Sequence, residues 1–167
     1  MPGFLFILSG LPGVGKTSFA RAFCERVGAA HLRVDTIEQT LRDQGQEVTT
    51  QGYNLAFAIA QDMLKSGTMI VADSVNPLHA TREGWRRTAE EADVGRLQIE
   101  IVCSDKAKHR ERVENRTSDI DGLTLPVWED VLRRKYEAWA QGEAVTIDAA
   151  HRSATDLAQA LAKTLKL

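Results

Sequence analysis

Residues 10–17 read Gly10-Leu11-Pro12-Gly13-Val14-Gly15-Lys16-Thr17, a full match to the phosphate-binding pattern G-x-x-x-x-G-K-[ST]. Glycines at these positions let the backbone turn tightly, so that successive N–H groups surround a polyphosphate that a side chain would keep away. Lys16 is placed to reach the β- and γ-phosphates. The hydroxyl of Thr17 is a hard oxygen ligand of the kind Mg²⁺ takes. A helix opening at Lys16 and running through Ser18 adds the positive end of its dipole. Residues 10 to 18 together form the candidate nucleotide-phosphate site.

Further positions carry candidate chemistry. Asp35 closes the run His31-Leu32-Arg33-Val34-Asp35, which sets a carboxylate on the same sheet edge as the glycine loop, where a general base for an acceptor hydroxyl belongs. The stretch Asp35-Thr36-Ile37-Glu38 also reads as a capping box. Met69-Ile70-Val71-Ala72-Asp73 is an apolar run ending in Asp, a placement suited to holding Mg²⁺ directly or through water. Asn76-Pro77 follows, with Asn76 open to two readings, substrate contact or helix cap. Lys108, Arg112 and Arg116 then stand at i, i+4 and i+8 on one helix face. Asp105 and Glu111 offset Lys108 and Asp119 offsets Arg116, whereas Arg112 has no acidic helical neighbour. Such an arginine ahead of a polar loop suits stabilisation of charge on a transferring phosphoryl group.

Alternating apolar runs supply the frame. Strands are expected near 4–8, 30–34, 68–72, 97–103 and 144–148, with helices near 16–27, 53–65, 79–92, 105–116, 127–139 and 154–165. The alternation implies a parallel α/β sheet, and ligands of such sheets sit beyond the carboxyl ends of the strands. Polar stretches 43–52 and 117–125 are read as mobile covers over that edge. Ser153 and Asp156 open the last helix, and Leu157, Ala158, Leu161 and Leu165 form its apolar stripe.

With 167 residues the chain suits a single domain, 1–167, able to bury a sizeable core. A net charge of −2 provides no global field for nucleic acid or anionic membrane. Cys24 and Cys103 read as reduced core residues, and no stretch approaches a membrane span, so a cytosolic location is expected. The four histidines lack metal-ligand spacing. Trp85, Trp128 and Trp139 read as packing residues of amphipathic helices. Nothing in the sequence speaks to oligomeric state.

Three blocks in order resemble the small P-loop kinases grouped as AAA-type ATP-binding proteins, especially the kinase domain of phage polynucleotide kinase and its bacterial relatives. They are the loop 10–17 with Asp35, the run Ile70-Val71-Ala72-Asp73-Ser74-Val75-Asn76-Pro77, and Arg112-Val113-Glu114-Asn115-Arg116 through Pro126-Val127-Trp128 to Tyr136-Glu137. The resemblance implies a P-loop NTPase fold of the nucleoside-monophosphate-kinase type: a five-stranded parallel sheet of order 2-3-1-4-5 flanked by helices, with an arginine-bearing lid around 105–126. It also implies an ATP·Mg²⁺ donor. Lys16 and Thr17 would hold donor phosphates and metal, and Asp35 would activate the acceptor hydroxyl. Arg112 and Arg116 would be lid arginines, while Asp73 and Asn76 would face metal or acceptor. Arg42 is the only basic residue in the stretch after Asp35, which together with the net charge favours a small hydroxyl-bearing acceptor over a polynucleotide 5′-OH. The competing readings are an ATP-hydrolysing switch and a nucleotide-binding module without chemistry. A guanine-specific Asn-Lys-x-Asp tetrapeptide is absent from the sequence.

Overall fold

The computed structural model describes residues 3–167. Its elements run β1 (Phe4–Ser9), α1 (Lys16–Val27), β2 (Ala30–Arg33), α2 (Val34–Asp43), α3 (Gln51–Lys65), β3 (Met69–Asp73), α4 (His79–Glu91), β4 (Gly95–Val102), α5 (Lys106–Asn115), α6 (Trp128–Arg133), β5 (Val145–Asp148) and α7 (Ala154–Leu165). The sheet has the order β2-β3-β1-β4-β5, and every pairing is parallel. This is the fold that the resemblance implies.

β1 explains the layering. Its side chains alternate between the two faces, and both are covered, which is why Phe4-Leu5-Phe6-Ile7-Leu8 is apolar without interruption. Phe6 and Leu8 join Phe19 and Phe23 of α1 and Leu157 and Leu161 of α7 on one side. Leu5 and Ile7 join Ala56, Ala60 and Leu64 of α3 and Trp85 and Ala89 of α4 on the other. Phe6 meets Phe23 edge-on at 4.9 Å between centroids, and Phe23 stacks on Phe19 at 5.6 Å. Each fully buried phenylalanine of this trio contributes roughly 1.5–3 kcal/mol. Because all strands are parallel, Ser9, Arg33, Asp73, Val102 and Asp148 end at one edge, and the loops beyond that edge build the site.

Four sequence expectations need correction. The chain turns into α2 directly after β2, so Asp35 lies in the first turn of a helix rather than at a strand end. The expected capping box does not form, since the cap position is Arg33 and no side chain caps the helix. Val34 is swallowed by the core beneath α3, and this packing closes the strand one residue early. The helix expected over 127–139 stops at Arg133, because Arg82 pulls the next segment down in extended form: Nη1 donates to Ala138 O at 3.5 Å, and the guanidinium lies 3.9 Å from the Trp139 ring centroid. Trp139 is therefore a partner of Arg82 outside any helix. Asn76 does not cap α4, whose cap position is Leu78, but adopts φ 49°.

The Ser153 cap forms as expected, with Ser153 Oγ accepting from Asp156 N at 3.1 Å and donating to Asp156 Oδ2 at 2.7 Å. Cys24 is a buried free thiol in α1, and Cys103 is a half-buried one just past β4. Among the described residues no helix is long and apolar enough to cross a membrane.

Candidate active site

The glycine loop between β1 and α1 is pinned from three sides. Gly10, at φ 141°, donates its N–H to Val75 O at 3.1 Å, which ties the loop to the segment after β3. Gly13, at φ 82°, lies so close to α5 that a Cβ there would stand 2.4 Å from Val113 Cγ2. From the same helix, His109 Nε2 donates to Pro12 O at 2.8 Å, which fixes the ring proton on Nε2. Arg112 donates to Val14 O at 3.4 Å and to Ala149 O at 2.7 Å. These bonds fix the Pro12 and Val14 carbonyls on α5; with the Gly10 and Val14 amides spent on Val75 O and Leu11 O, the Gly13 and Gly15 amides are left for an anion. No side chain caps α1, so the amides of its first turn are also available.

Lys16 is buried and donates through Nζ to Leu11 O at 3.0 Å. Burial pushes its pKa down to about 8, against the attraction of Asp73 and Asp35 and with further depression from Arg116 and Arg134. A lysine so desolvated gains more from a phosphate than one already in water.

Thr17 and Asp73 meet. Thr17 Oγ1 donates to Asp73 Oδ2 at 2.8 Å, and His31 Nε2 donates to the same oxygen at 3.1 Å. Burial alone would raise the Asp73 pKa, but the His31 bond, the Lys16 charge and the Thr17 bond outweigh it and hold the carboxyl below its usual range. His31 was not expected here. β2 pairs with β3 in a register that sets His31 beside Val71, so Asp73, two residues on and on the same face, lies diagonally across. That relation becomes visible only once the sheet order is known.

These donors fit a magnesium-bound polyphosphate. A hydroxyl and an ionised carboxylate 2.8 Å apart form a hard-oxygen pair beside the loop amides, and Mg²⁺ usually takes one or two protein oxygens together with substrate phosphates. No cluster of three or more His, Cys, Asp or Glu suited to a metal occurs among the described residues, which accords with an ion completed by phosphates and water.

A cleft of about 1450 Å³ opens from this floor. Lys16, Thr17, Asp35, Asp73, Arg112 and Arg116 all line it, with the loop residues Pro12, Gly13, Gly15 and Ser18. Asp35 has no cationic partner at ion-pair distance among the described residues, although its charge is felt at Lys16, Arg33 and Arg116. Arg116 follows α5 and is half-buried, its buried Nε meeting no acceptor. Desolvation lowers its pKa, an effect that Asp35 opposes and Arg33 reinforces.

The structure departs from the sequence reading at three side chains. Asn76 is fully buried and off the cleft wall, its N–H donating to Tyr53 Oη at 3.0 Å while Oδ1 and Nδ2 find no partner. Asp119 does not offset Arg116 but pairs with Arg33 and Arg21. Lys108 Nζ donates to Ala150 O at 3.3 Å and to His151 Nδ1 at 2.9 Å, contacts with the β5–α7 connection, while Asp105 caps α5, accepting from the Lys108 N–H at 3.1 Å, and feels the Lys108 charge. Arg134, just past α6, was missed: it lines the cleft, and its charge reaches Lys16 and Glu38. Its signal was hidden because a helix continued to 139 would have carried it past the cleft.

With the geometry in place, comparison with known proteins gives a family. A family model described as an AAA domain matches residues 5–138. The chain belongs to that family. No curated protein matches the sequence. Solved structures with similar folds include the APS kinase CysC of Mycobacterium tuberculosis in complex with AMPPNP and APS, at 16% identity and TM-score 0.72, covering 99% of both chains. A gluconokinase from Sinorhizobium meliloti is 20% identical with TM-score 0.64, covering 99% of this chain and 96% of that one. A sugar kinase from Janibacter sp. is 14% identical with TM-score 0.67, covering 99% and 95%. At these identities the likeness is one of fold. The narrower resemblance of this AAA domain to phage polynucleotide kinase rests on the sequence blocks alone.

Proposed function

We propose that this AAA domain is a kinase that transfers the γ-phosphoryl group of ATP to a hydroxyl of a small molecule. The observation that carries the reading is Asp35: a carboxylate without an ion-pair partner, facing the cleft whose floor is the glycine loop and Lys16. The neighbours of similar fold, an APS kinase bound to AMPPNP and APS and a gluconokinase, support a nucleotide donor and a separate acceptor in the same cleft.

In this reading the loop amides and Lys16 hold the β- and γ-phosphates, and Thr17 with Asp73 would hold Mg²⁺, which when bound neutralises phosphate charge. Asp35 accepts the proton of the acceptor hydroxyl as its oxygen forms a bond to the γ-phosphorus. The bond from that phosphorus to the β,γ-bridging oxygen breaks, and ADP carries the electron pair away. Arg116 and Arg134 stabilise the charge on the transferring group, and Arg112 holds the loop. Beyond Asp35 the cleft is walled by Thr49, Thr50, Tyr53, Asn54 and Phe57, polar groups and ring faces suited to a compact acceptor.

The test is transfer from labelled ATP to pooled nucleosides, sugars, antibiotics and oligonucleotides, with Lys16→Ala alongside. Labelled product that disappears in Lys16→Ala supports the kinase. Phosphate release that no acceptor accelerates identifies a hydrolytic switch, and ATP binding without turnover identifies a binding module.

A further inference from the structure

The connection 116–127 between α5 and α6 lies over the cleft, with Arg116, Thr117, Ser118, Asp119 and residues 122–126 among the lining. One side chain fastens it to the body of the domain. Asp119 Oδ2 accepts from Arg33 Nη1 at 2.9 Å and Oδ1 from Arg33 Nη2 at 3.0 Å, a two-pronged pair across 86 residues, and Arg21 of α1 joins at Oδ2. Arg33 and Arg21 hold the Asp119 carboxyl well below the usual range although it is half-exposed. Arg33 matters for a second reason. It ends β2 two residues before Asp35, and it feels the Asp35 charge while repelling Arg116. With its fork taken by Asp119, Arg33 is not available to pair with Asp35.

We propose that Asp119 is a positioning residue of phosphoryl transfer: it clasps the 116–127 connection to Arg33 and Arg21, holds Arg116 at the cleft, and keeps Arg33 off the Asp35 carboxylate. The inference rests on the kinase reading above. A bidentate guanidinium–carboxylate pair supplies direction as well as energy, which suits a clasp better than a point-charge contact. Loss of the carboxylate has two consequences. The connection loses its tie, and Arg33, whose fork is freed, can turn to Asp35, whose charge it already feels and whose power to accept a proton then falls. Both act on the chemical step, and neither removes a contact to the donor phosphates.

The experiment compares wild type, Asp119→Asn, Asp119→Glu, Arg33→Gln and Asp119→Asn with Arg33→Gln. The readouts are amide hydrogen exchange over 117–126 and turnover of ATP·Mg²⁺ with water as acceptor, measured at high enzyme concentration. Asp119→Asn is expected to speed exchange in 117–126 without changing it in β1 or β3, and to lower kcat about tenfold while KM for ATP moves less than about threefold. Asp119→Glu, which keeps the charge, restores most of both. In the Arg33→Gln background the further loss on Asp119→Asn shrinks below about threefold, because no fork remains to reach Asp35. Unchanged exchange in Asp119→Asn, a loss confined to KM, or full additivity with Arg33→Gln overturns the proposal. Failure of the kinase reading looks different: AMPPNP fails to bind the wild type, or Asp35→Asn leaves turnover unchanged, whatever the exchange data show.

Discussion

The floor and the roof of the cleft are built on opposite principles. The floor is backbone held by backbone-directed bonds: Gly10 to Val75, His109 to Pro12, Arg112 to Val14 and Ala149, with Gly13 pressed against Val113. The roof is a polar connection held chiefly by one carboxylate on two arginines, with Asp119 and Arg21 both about half-exposed. Bonds of the first kind survive salt and leave little freedom. Exposed ion pairs of the second kind contribute only about 0–1 kcal/mol and are screened. On the kinase reading, the site must grip a polyphosphate in one geometry and still admit and release two substrates, and it needs both.

The largest effect separates chemistry from grip. Asp35→Asn keeps the size of the side chain and removes its ability to accept a proton, so transfer is expected to slow by roughly 10²–10⁴ while ATP affinity stays within a few-fold. Calorimetry with AMPPNP beside a turnover assay measures both quantities. If affinity falls as far as rate, Asp35 belongs to the floor and the contrast drawn above is misplaced.

Arg116 and Arg112 sharpen the same division four residues apart. Arg116 has a buried Nε without an acceptor, whereas Arg112 spends its fork on two carbonyls. Arg116→Ala is expected to cost about 10²–10³ in kcat with little change in melting temperature, as for loss of a group that meets charge only in the transition state. Arg112→Ala is expected to destabilise the fold by about 1–3 kcal/mol and to weaken nucleotide binding, because two loop-bracing bonds vanish. Denaturant titrations and kcat against KM for both variants distinguish these outcomes. The reverse pattern would exchange the two roles.

How much of this was legible in the sequence follows the same line. The placement of the glycine loop, Lys16, Thr17 and Asp73 was readable because it depends on local spacing and on where an apolar run stops. β1 was readable because a strand covered on both faces has no polar positions. The pairs that matter elsewhere join residues far apart in the chain: His31 with Asp73, Arg33 with Asp119, Arg82 with Ala138. Local rules gave Asp119 to Arg116 because the two are three apart, but the chain leaves the helix at Arg116 and delivers Asp119 to β2. Asp35 was identified correctly as a cleft residue for an incorrect local reason, since it reaches the cleft from the first turn of α2. Arg134 was lost to a helix that tertiary contacts of Arg82 cut short.

The smallest expected effect is a proton. In the free protein Lys16 has its pKa pushed down to about 8 by burial, against an ordinary value of 10.5. The sign for folding follows: between those values the unfolded chain binds more protons than the native one, so stability rises with pH across about 8 to 10.5, while at lower pH the buried charge costs about 3 kcal/mol. The sign for binding is opposite. Phosphates drawn against Nζ favour the charged amine and raise its pKa, so nucleotide binding near pH 8.5 must take up a proton, a fraction of one per site, and binding at pH 6.5 takes up almost none at Lys16. Calorimetry of AMPPNP binding in buffers of different ionisation enthalpy reads that number directly. Lys16→Met should abolish the uptake at pH 8.5, whereas Asp119→Asn, which loosens the roof alone, should leave it intact. Equal uptake in Lys16→Met would show that another group titrates on binding, and the desolvated lysine would then not be what the floor offers to the phosphates.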